Sequence, residues 1–421
     1  MAAETHSLSL STGGGDQTIT FDDSSFNPKC CIAVSTSQTS ANSTSDSSTV
    51  RIGLWAEGDQ QAVYAGAKVQ GGGRQGVERL DTDAIFIHLN GTPIIKQEAR
   101  IKSVTSGSAV IENIVTHTNA NKVFFHFFDA EECCVFAATA QTSAATKAYT
   151  HANLDFNPDV IIAVADGYTS INAHRKNDWS ASFGAATSNS VAAENVSIGV
   201  GHNEGGDDSA DVQGNGDCIY LVEDDATVTK QAHWSASGAN EFTLDYDVAN
   251  ASAYYNIFMC IKIGSAFAGV FDTGTSTTSD VEVDDPTFQP DNVIFLTNNH
   301  SALDAVQDTA HFNIGFAAPQ PDSPSNHKPD VSMVTSGDGG ANYNRRFDNN
   351  SSVLTLNDAG TSIENDGVVS TYDSLGFHVD LDTNSGTKKV SYLALSSAAV
   401  TANPKGPLGQ VVLAGPLGGP I

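Results

Sequence analysis

The chain has 421 residues, and its 20 Lys and Arg face 49 Asp and Glu, a formal net charge of −29. That excess of acid argues against nucleic acid or an anionic membrane as partner, since both require a basic face. With 40% hydrophobic and 16% charged residues it is not a charge-rich disordered chain, and its length predicts two to four domains that need no disulfide or metal to hold them.

The opening residues, MAAETHSLSLSTGGGDQTITF, lack the basic and apolar regions of a secretory signal. No segment reaches the roughly 18 consecutive apolar residues of a membrane-spanning helix, so membrane insertion is not expected. The first strong motif is Phe26-Asn27-Pro28-Lys29-Cys30-Cys31-Ile32-Ala33-Val34. It recurs as Phe156-Asn157-Pro158-Asp159-Val160-Ile161-Ile162-Ala163-Val164 and as Phe288-Gln289-Pro290-Asp291-Asn292-Val293-Ile294-Phe295-Leu296. The copies lie about 130 residues apart, the signature of internal repetition.

Further landmarks follow each copy in the same order. The first is an Ile-Gly pair at Ile52-Gly53, Ile198-Gly199 and Ile314-Gly315; its later position in the middle copy implies an insertion at about 173–195. Next comes a short alternating segment at Ala84–Ile87, Cys218–Leu221 and Ser352–Thr355. Then follow Phe242–Asp245 and Phe377–Asp380, with Val110–Asn113 as a weaker counterpart. Each copy closes on an apolar segment: Val123–Phe128, Ile257–Ile261 and Val390–Leu395.

The segments are short, β-branched or aromatic, and separated by Gly, Asn, Asp and Ser, which predicts strands and turns. Proline fixes φ and lacks an N–H, so Phe-x-Pro belongs at a strand's entry, with the Phe capping the core. The expected fold is all-β: three tandem homologous β-sandwich, jelly-roll-like domains at 1–135, 136–266 and 267–400, followed by a Gly/Pro-rich arm at 401–421 that docks on a neighbouring subunit or frays.

The chemistry-bearing residues give little. There is no HExxH, GxSxG or Walker A loop, and Gly199-Val200-Gly201 lacks both the later glycine of a dinucleotide fingerprint and a βαβ context. Cys30, Cys31, Cys133, Cys134, Cys218 and Cys260 occupy apolar positions and read as buried reduced thiols; a bridge from Cys30 or Cys31 to Cys133 or Cys134 stays geometrically open. His126, within an apolar run, reads as a hydrogen-bonded core residue. The weak calcium candidates are Asp380, Asp382 and Asn384, whose oxygens alternate as in hard-cation loops, although Asn384-Ser385-Gly386 also makes a good turn. The acidic loop Glu204–Asp211 is a second, equally weak one. Asn42, Asn195 and Asn250 head glycosylation sequons. The acids Asp207, Asp208, Asp284, Asp285 and Asp382 fall between strands and read as a solvated coat.

One resemblance covers roughly residues 7–400. Phe288-Gln289-Pro290-Asp291-Asn292-Val293-Ile294, then Gly376-Phe377-His378-Val379-Asp380, then Tyr392-Leu393-Ala394-Leu395 resembles the β-sandwich modules of tail and capsid-surface proteins of tailed bacterial and archaeal viruses. The first copy departs most, with Val110 and Glu112 in place of Phe and Val. The resemblance implies a non-enzymatic virion protein, assembled in the host cytoplasm, whose partners are its own copies and other virion proteins. The alternative is a carbohydrate- or surface-binding module array with a host-surface glycan as ligand. Against it, Trp55, Trp179 and Trp234 hold no shared place in the repeats. A glycan-degrading enzyme would need an acid pair that the sequence does not single out.

Overall fold

The structure, a computed structural model, describes residues 3–397 apart from 37, 40–43, 47, 71–72, 90–93, 178, 188–193, 203–208, 224, 276–279, 310, 319–330, 339–340, 350 and 358–362. The expected arm at 401–421, most of the acidic loop (204–208) and the sequon at Asn42 lie outside the described residues.

Among the described residues there is no α-helix, and 32 strands form six sheets. Up to residue 128 these are β1 (Ala3–Ser9), β2 (Gly15–Thr20), β3 (Cys30–Ser35), β4 (Thr44–Asp46), β5 (Ser48–Ala56), β6 (Asp59–Gln70), β7 (Gly73–Asp81), β8 (Phe86–Leu89), β9 (Ile95–Thr105), β10 (Ser108–Val115) and β11 (Lys122–Phe128). The middle stretch holds β12 (Glu132–Thr139), β13 (Thr146–Thr150), β14 (Val160–Asp166), β15 (His174–Asn177), β16 (Trp179–Thr187), β17 (Asn195–His202), β18 (Ser209–Asn215), β19 (Ile219–Val222), β20 (Val228–Gly238), β21 (Glu241–Val248) and β22 (Tyr255–Lys262). The last holds β23 (Ser265–Asp272), β24 (Asp280–Val283), β25 (Asn292–Thr297), β26 (Phe312–Ala317), β27 (Val331–Asp338), β28 (Ala341–Asn349), β29 (Leu354–Asn357), β30 (Ile363–Tyr372), β31 (Phe377–Asn384) and β32 (Lys389–Ser396).

The sheets fall into three pairs of one large and one small. The large sheets run β1-β11-β3-β5-β6-β7-β15, β12-β22-β14-β16-β17-β18 and β23-β32-β25-β26-β27-β28-β4. The small ones run β2-β10-β9-β8, β13-β21-β20-β19 and β24-β31-β30-β29. Strands β5, β6 and β7 follow one another in the first large sheet and β8 to β10 in its small one, and the other pairs repeat this. In each sheet three consecutive strands form a hairpin meander, while the neighbours β11-β3 and β2-β10, and their equivalents β22-β14, β21-β13, β32-β25 and β31-β24, are joined through crossovers between the two sheets of a pair.

The strand after each Phe-x-Pro is apolar without alternation because both of its faces are buried. In β14, Ile161, Ala163 and Ala165 pack toward the small sheet, while Val160, Ile162 and Val164 enter a core shared by all three large sheets. Ile32 and Val34 of β3 and Ile294 and Leu296 of β25 meet them in that shared core. Each such side chain stabilises by about 1.5–3 kcal/mol relative to an exposed one. Phe26 and Phe156 are buried in the outer cores, and Phe288 packs on the third. The Asp after the proline ties down the chain leaving the closing strand. Asp159 Oδ2 accepts from Ile263 N at 3.0 Å, and Asp291 Oδ2 accepts from Ser396 Oγ at 3.1 Å and Ser397 N at 3.0 Å.

Strand register corrects three expectations. Gly53 pairs with Ala33 and Gly315 with Phe295; the residue in that place in the middle stretch is Gly184, opposite Ala163, and not Gly199. Gly199 lies one strand further on, in β17. The segment 173–195 is therefore no insertion, since it supplies β15 and β16, the counterparts of β4 and β5. Both glycines are needed because both meet a carbonyl of the small sheet: a Cβ on Gly184 would lie 2.2 Å from Cys218 O, and one on Gly199 1.9 Å from Tyr220 O. The counterpart of Phe242 and Phe377 is Ala109, which pairs with Ile19 as they pair with Tyr149 and Val283. Placing Val110 there is a one-residue slip, which turns every side chain to the other face. Finally, the boundaries expected at 135/136 and 266/267 cut β12 and β23, because each new pair of sheets begins one short turn after the previous closing strand.

Candidate functional site

The residues with the most unusual surroundings lie where one sheet pair meets the next. A sheet edge exposes unpaired N–H and C=O groups. Here the edges β7, β18 and β28 are each covered by a segment from the loop that follows a neighbour's Phe-x-Pro strand. β15 pairs with β7, β4 with β28, and Gln307 bridges to Asp211 of β18. The middle stretch thus covers the first, the first covers the last, and the last covers the middle, so the contacts run in a closed cycle. The register is the same at all three seams, with Arg175, Ser45 and Gln307 opposite Glu78, Arg346 and Asp211.

Two seams share further detail. Asn172 (φ 55°) donates its N–H to Leu80 O at 2.8 Å, and its Oδ1 accepts from Thr82 N at 3.0 Å. Asp304 (φ 57°) donates to Gln213 O at 2.9 Å, and its Oδ1 accepts from Asn215 N at 2.8 Å. The left-handed backbone suits Asn and Asp, whose short side chains bond locally. Next to these caps, the buried carboxylate of Glu78 accepts from Ser180 N, and that of Asp211 from His311 N. Asp211 also accepts from His300 Nε2 and, at 3.1 Å, from Thr309 Oγ1. Burial alone would raise the Asp211 carboxyl, but hydrogen bonds and charge from His300 and His311 outweigh it and hold it below its ordinary 3.8.

His126 fastens the first large sheet to the third. Its Nδ1 bonds Thr5 Oγ1 and its Nε2 bonds Asn292 Oδ1, both at 2.8 Å, and its ring stacks on Phe316 at 4.6 Å. Both ring nitrogens are engaged, as expected of a core histidine. Burial drives its pKa down to about 3, against a smaller upward pull from Asn292.

The three calcium candidates lie on β31. Asp380 and Asp382 are exposed along β31, and Asn384 is occupied in the turn: its Oδ1 accepts from Gly386 N and Asn365 Nδ2, and its Nδ2 donates to Thr273 O and Gly274 O. Carboxylates gather instead around two outer-sheet histidines. His378 lies 2.8 Å from Asp280 and 3.0 Å from Asp373, whose carboxylates outweigh its desolvation and raise its pKa. His233 lies 3.2 Å from Asp247 and 4.0 Å from Asp217, whose carboxyl burial pushes up to about 6. Both clusters latch neighbouring strands. Asp284 and Asp285 are exposed, as a solvated coat requires.

All six cysteines are free thiols. Cys30 contacts Cys133 and Cys134 contacts Cys260, and desolvation leads the causes that raise Cys30 and Cys260. Cys133 departs from expectation in being only half-buried, since β12 is a sheet edge. Iodoacetamide should therefore label Cys133 alone in the folded protein and all six after denaturation. Rapid native labelling of Cys31 or Cys218 would contradict the packing.

Sequence reasoning misses Glu78 and Lys230, both buried, and it places Asp211 in an acidic cation-binding loop, whereas Asp211 lies buried in β18. A signal exists: in correct register Glu78 and Asp211 hold one position of the repeat, but aligning Gly199 with Gly53 and Gly315 hides it. Searched against protein-family models and against characterised proteins, the chain matches none.

Proposed function

We propose that this chain is a non-enzymatic structural protein of a tailed virus, built from three homologous fused β modules and forming part of the tail or capsid surface with its own copies and other virion proteins. The observation that carries the reading is the closed cycle of seams. A contact that joins one patch to a different patch generates a ring when the rotation closes, and here three turns close it within one chain. The result is a covalent pseudo-threefold unit whose β7, β18 and β28 edges are already covered, leaving an acidic outer coat for contacts with other copies. The resemblance of Phe288–Ile294, Gly376–Asp380 and Tyr392–Leu395 to virion modules points the same way.

The glycan-binding alternative is weaker because its stacking residues are hidden: Trp55, Trp179 and Trp234 are 7%, 1% and 4% exposed. A cleft of about 500 Å³ does open beside Pro28 and Trp55, but the cations at its rim are engaged, Lys102 with Asp16 at 2.7 Å and Arg100 with Glu112 at 2.6 Å. The test is proteomics of virus particles released by cells that encode the chain, with native mass spectrometry of the purified protein. Many copies per particle and a discrete homo-oligomer are expected. Particles that lack the chain overturn the reading, and a strict monomer at micromolar concentration overturns self-assembly.

A further inference from the structure

Lys230 is an amine buried in the second sheet pair, a place where an unpaired ammonium would cost several kcal/mol. It is 1% exposed, and its Nζ donates to Asn256 Oδ1 at 2.8 Å. The two residues come from opposite sheets: Lys230 lies in β20 opposite Leu221, and Asn256 lies in β22 between Ala138 and Ala165. Asn256 is fully buried, and its Nδ2 donates to Tyr246 Oη at 3.1 Å, which holds the amide in place. Tyr246 is in turn bonded to Tyr149, and the Tyr254 ring lies 5.2 Å from Nζ. Two buried carboxyl groups act electrostatically on the amine: Asp166, at the end of the strand beside Asn256, and Glu78, from the neighbouring seam.

An amine nucleophile, a carboxamide within hydrogen-bond reach, a dry aromatic wall and a nearby carboxyl are what amide exchange requires. We propose that Lys230 and Asn256 become joined by an isopeptide bond that forms within the folded chain without any other enzyme. The neutral amine attacks Cγ of Asn256, the Nζ–Cγ bond forms, the Cγ–Nδ2 bond breaks, and ammonia leaves. Asp166 relays the proton from Nζ to the departing nitrogen, so atoms and charge balance and no oxidant or reductant takes part. Burial supports the neutral form, since it drives the Lys230 pKa down to about 7 despite the opposing charges of Asp166 and Glu78. The product removes the cost of a buried ammonium permanently and ties the small sheet to the large one.

The inference is independent of any virion role. Its test is the intact mass of the purified full chain. The expected mass is about 17 Da below the sequence mass, one ammonia. Trypsin, unable to cut at an acylated lysine, should leave 177–262 as a single peptide that carries the deficit, because Lys230 is the only cleavage site within it. Lys230→Arg should restore the full mass, and Asp166→Asn should leave a large unlinked fraction. Wild-type protein at full sequence mass, cleaved normally after Lys230, overturns the proposal, and this readout needs no variant to fold. A deficit that persists in Lys230→Arg overturns it as well, and complete linkage in Asp166→Asn overturns the relay.

Discussion

Gly315→Ala should lower the unfolding free energy by about 3 kcal/mol or more, beyond the usual range for an overpacked methylene. A Cβ on Gly315 would lie 1.7 Å from Val353 O and 2.7 Å from Val353 C. The obstacle is backbone at the entry to β29, which has no rotamer by which to withdraw. The small sheet must therefore move off the large one, opening the packing of Phe295, Phe377 and Tyr392. Gly53→Ala should do the same in the first pair, where the new methyl would lie 1.8 Å from Ile85 O. Because the large sheets share one core, the loss should register in the main urea transition as a lower midpoint with little change in slope. Gly13→Ala is the control, since its nearest neighbour is Ser11 Oγ at 3.9 Å, and it should stay within about 0.5 kcal/mol. A Gly315→Ala protein within about 1 kcal/mol of wild type would mean that the sheets separate more readily than this close approach implies.

The same glycines show what the sequence can and cannot reveal. Phe-x-Pro followed by an unbroken apolar run marks a strand buried on both faces, and it stands out because Pro and the apolar run are local constraints. Gly184 escapes notice because Gly199, one strand away, answers an identical steric demand, and nothing local tells the two apart. Val110 passes for Ala109 because a one-residue slip keeps the alternating pattern while changing the face. The seams are illegible for a different reason. β4, β15 and Gln307 pair with strands far away in the chain, so their partners depend on how the three sheet pairs meet. Glu78 and Asp211 look like surface acids until that meeting buries them, and Lys230 looks like an ordinary strand lysine until Asn256 is placed across from it.

Acid should open the molecule at its seams, beginning well above the range of ordinary carboxylates. His126 has an ordinary pKa of 6.5 and a folded value of about 3. Above 6.5 both states are neutral and its contribution is fully present. As the pH falls, the unfolded chain takes up the proton first, so stability drops by about 1.4 kcal/mol per pH unit between 6.5 and 3. Asp211 has a lowered folded pKa, so its contribution is present above 3.8 and is lost as the pH falls below that. The two windows follow one another. His126→Gln keeps a polar side chain but cannot titrate, so urea midpoints taken from pH 7 to pH 4 should fall much less steeply than in wild type, although the variant starts less stable. Asp211→Asn should be weaker by about 3–5 kcal/mol at pH 7, the usual cost of breaking a buried charged pair, with a flatter decline below 3.8. An unchanged slope in His126→Gln would place the acid-sensitive group elsewhere. A protonated His126 can no longer accept a hydrogen bond at either nitrogen, and it would place a charge between Phe316 and Asn292. The contact between the first and third large sheets, the one that closes the cycle, is thus the contact that acid should release first.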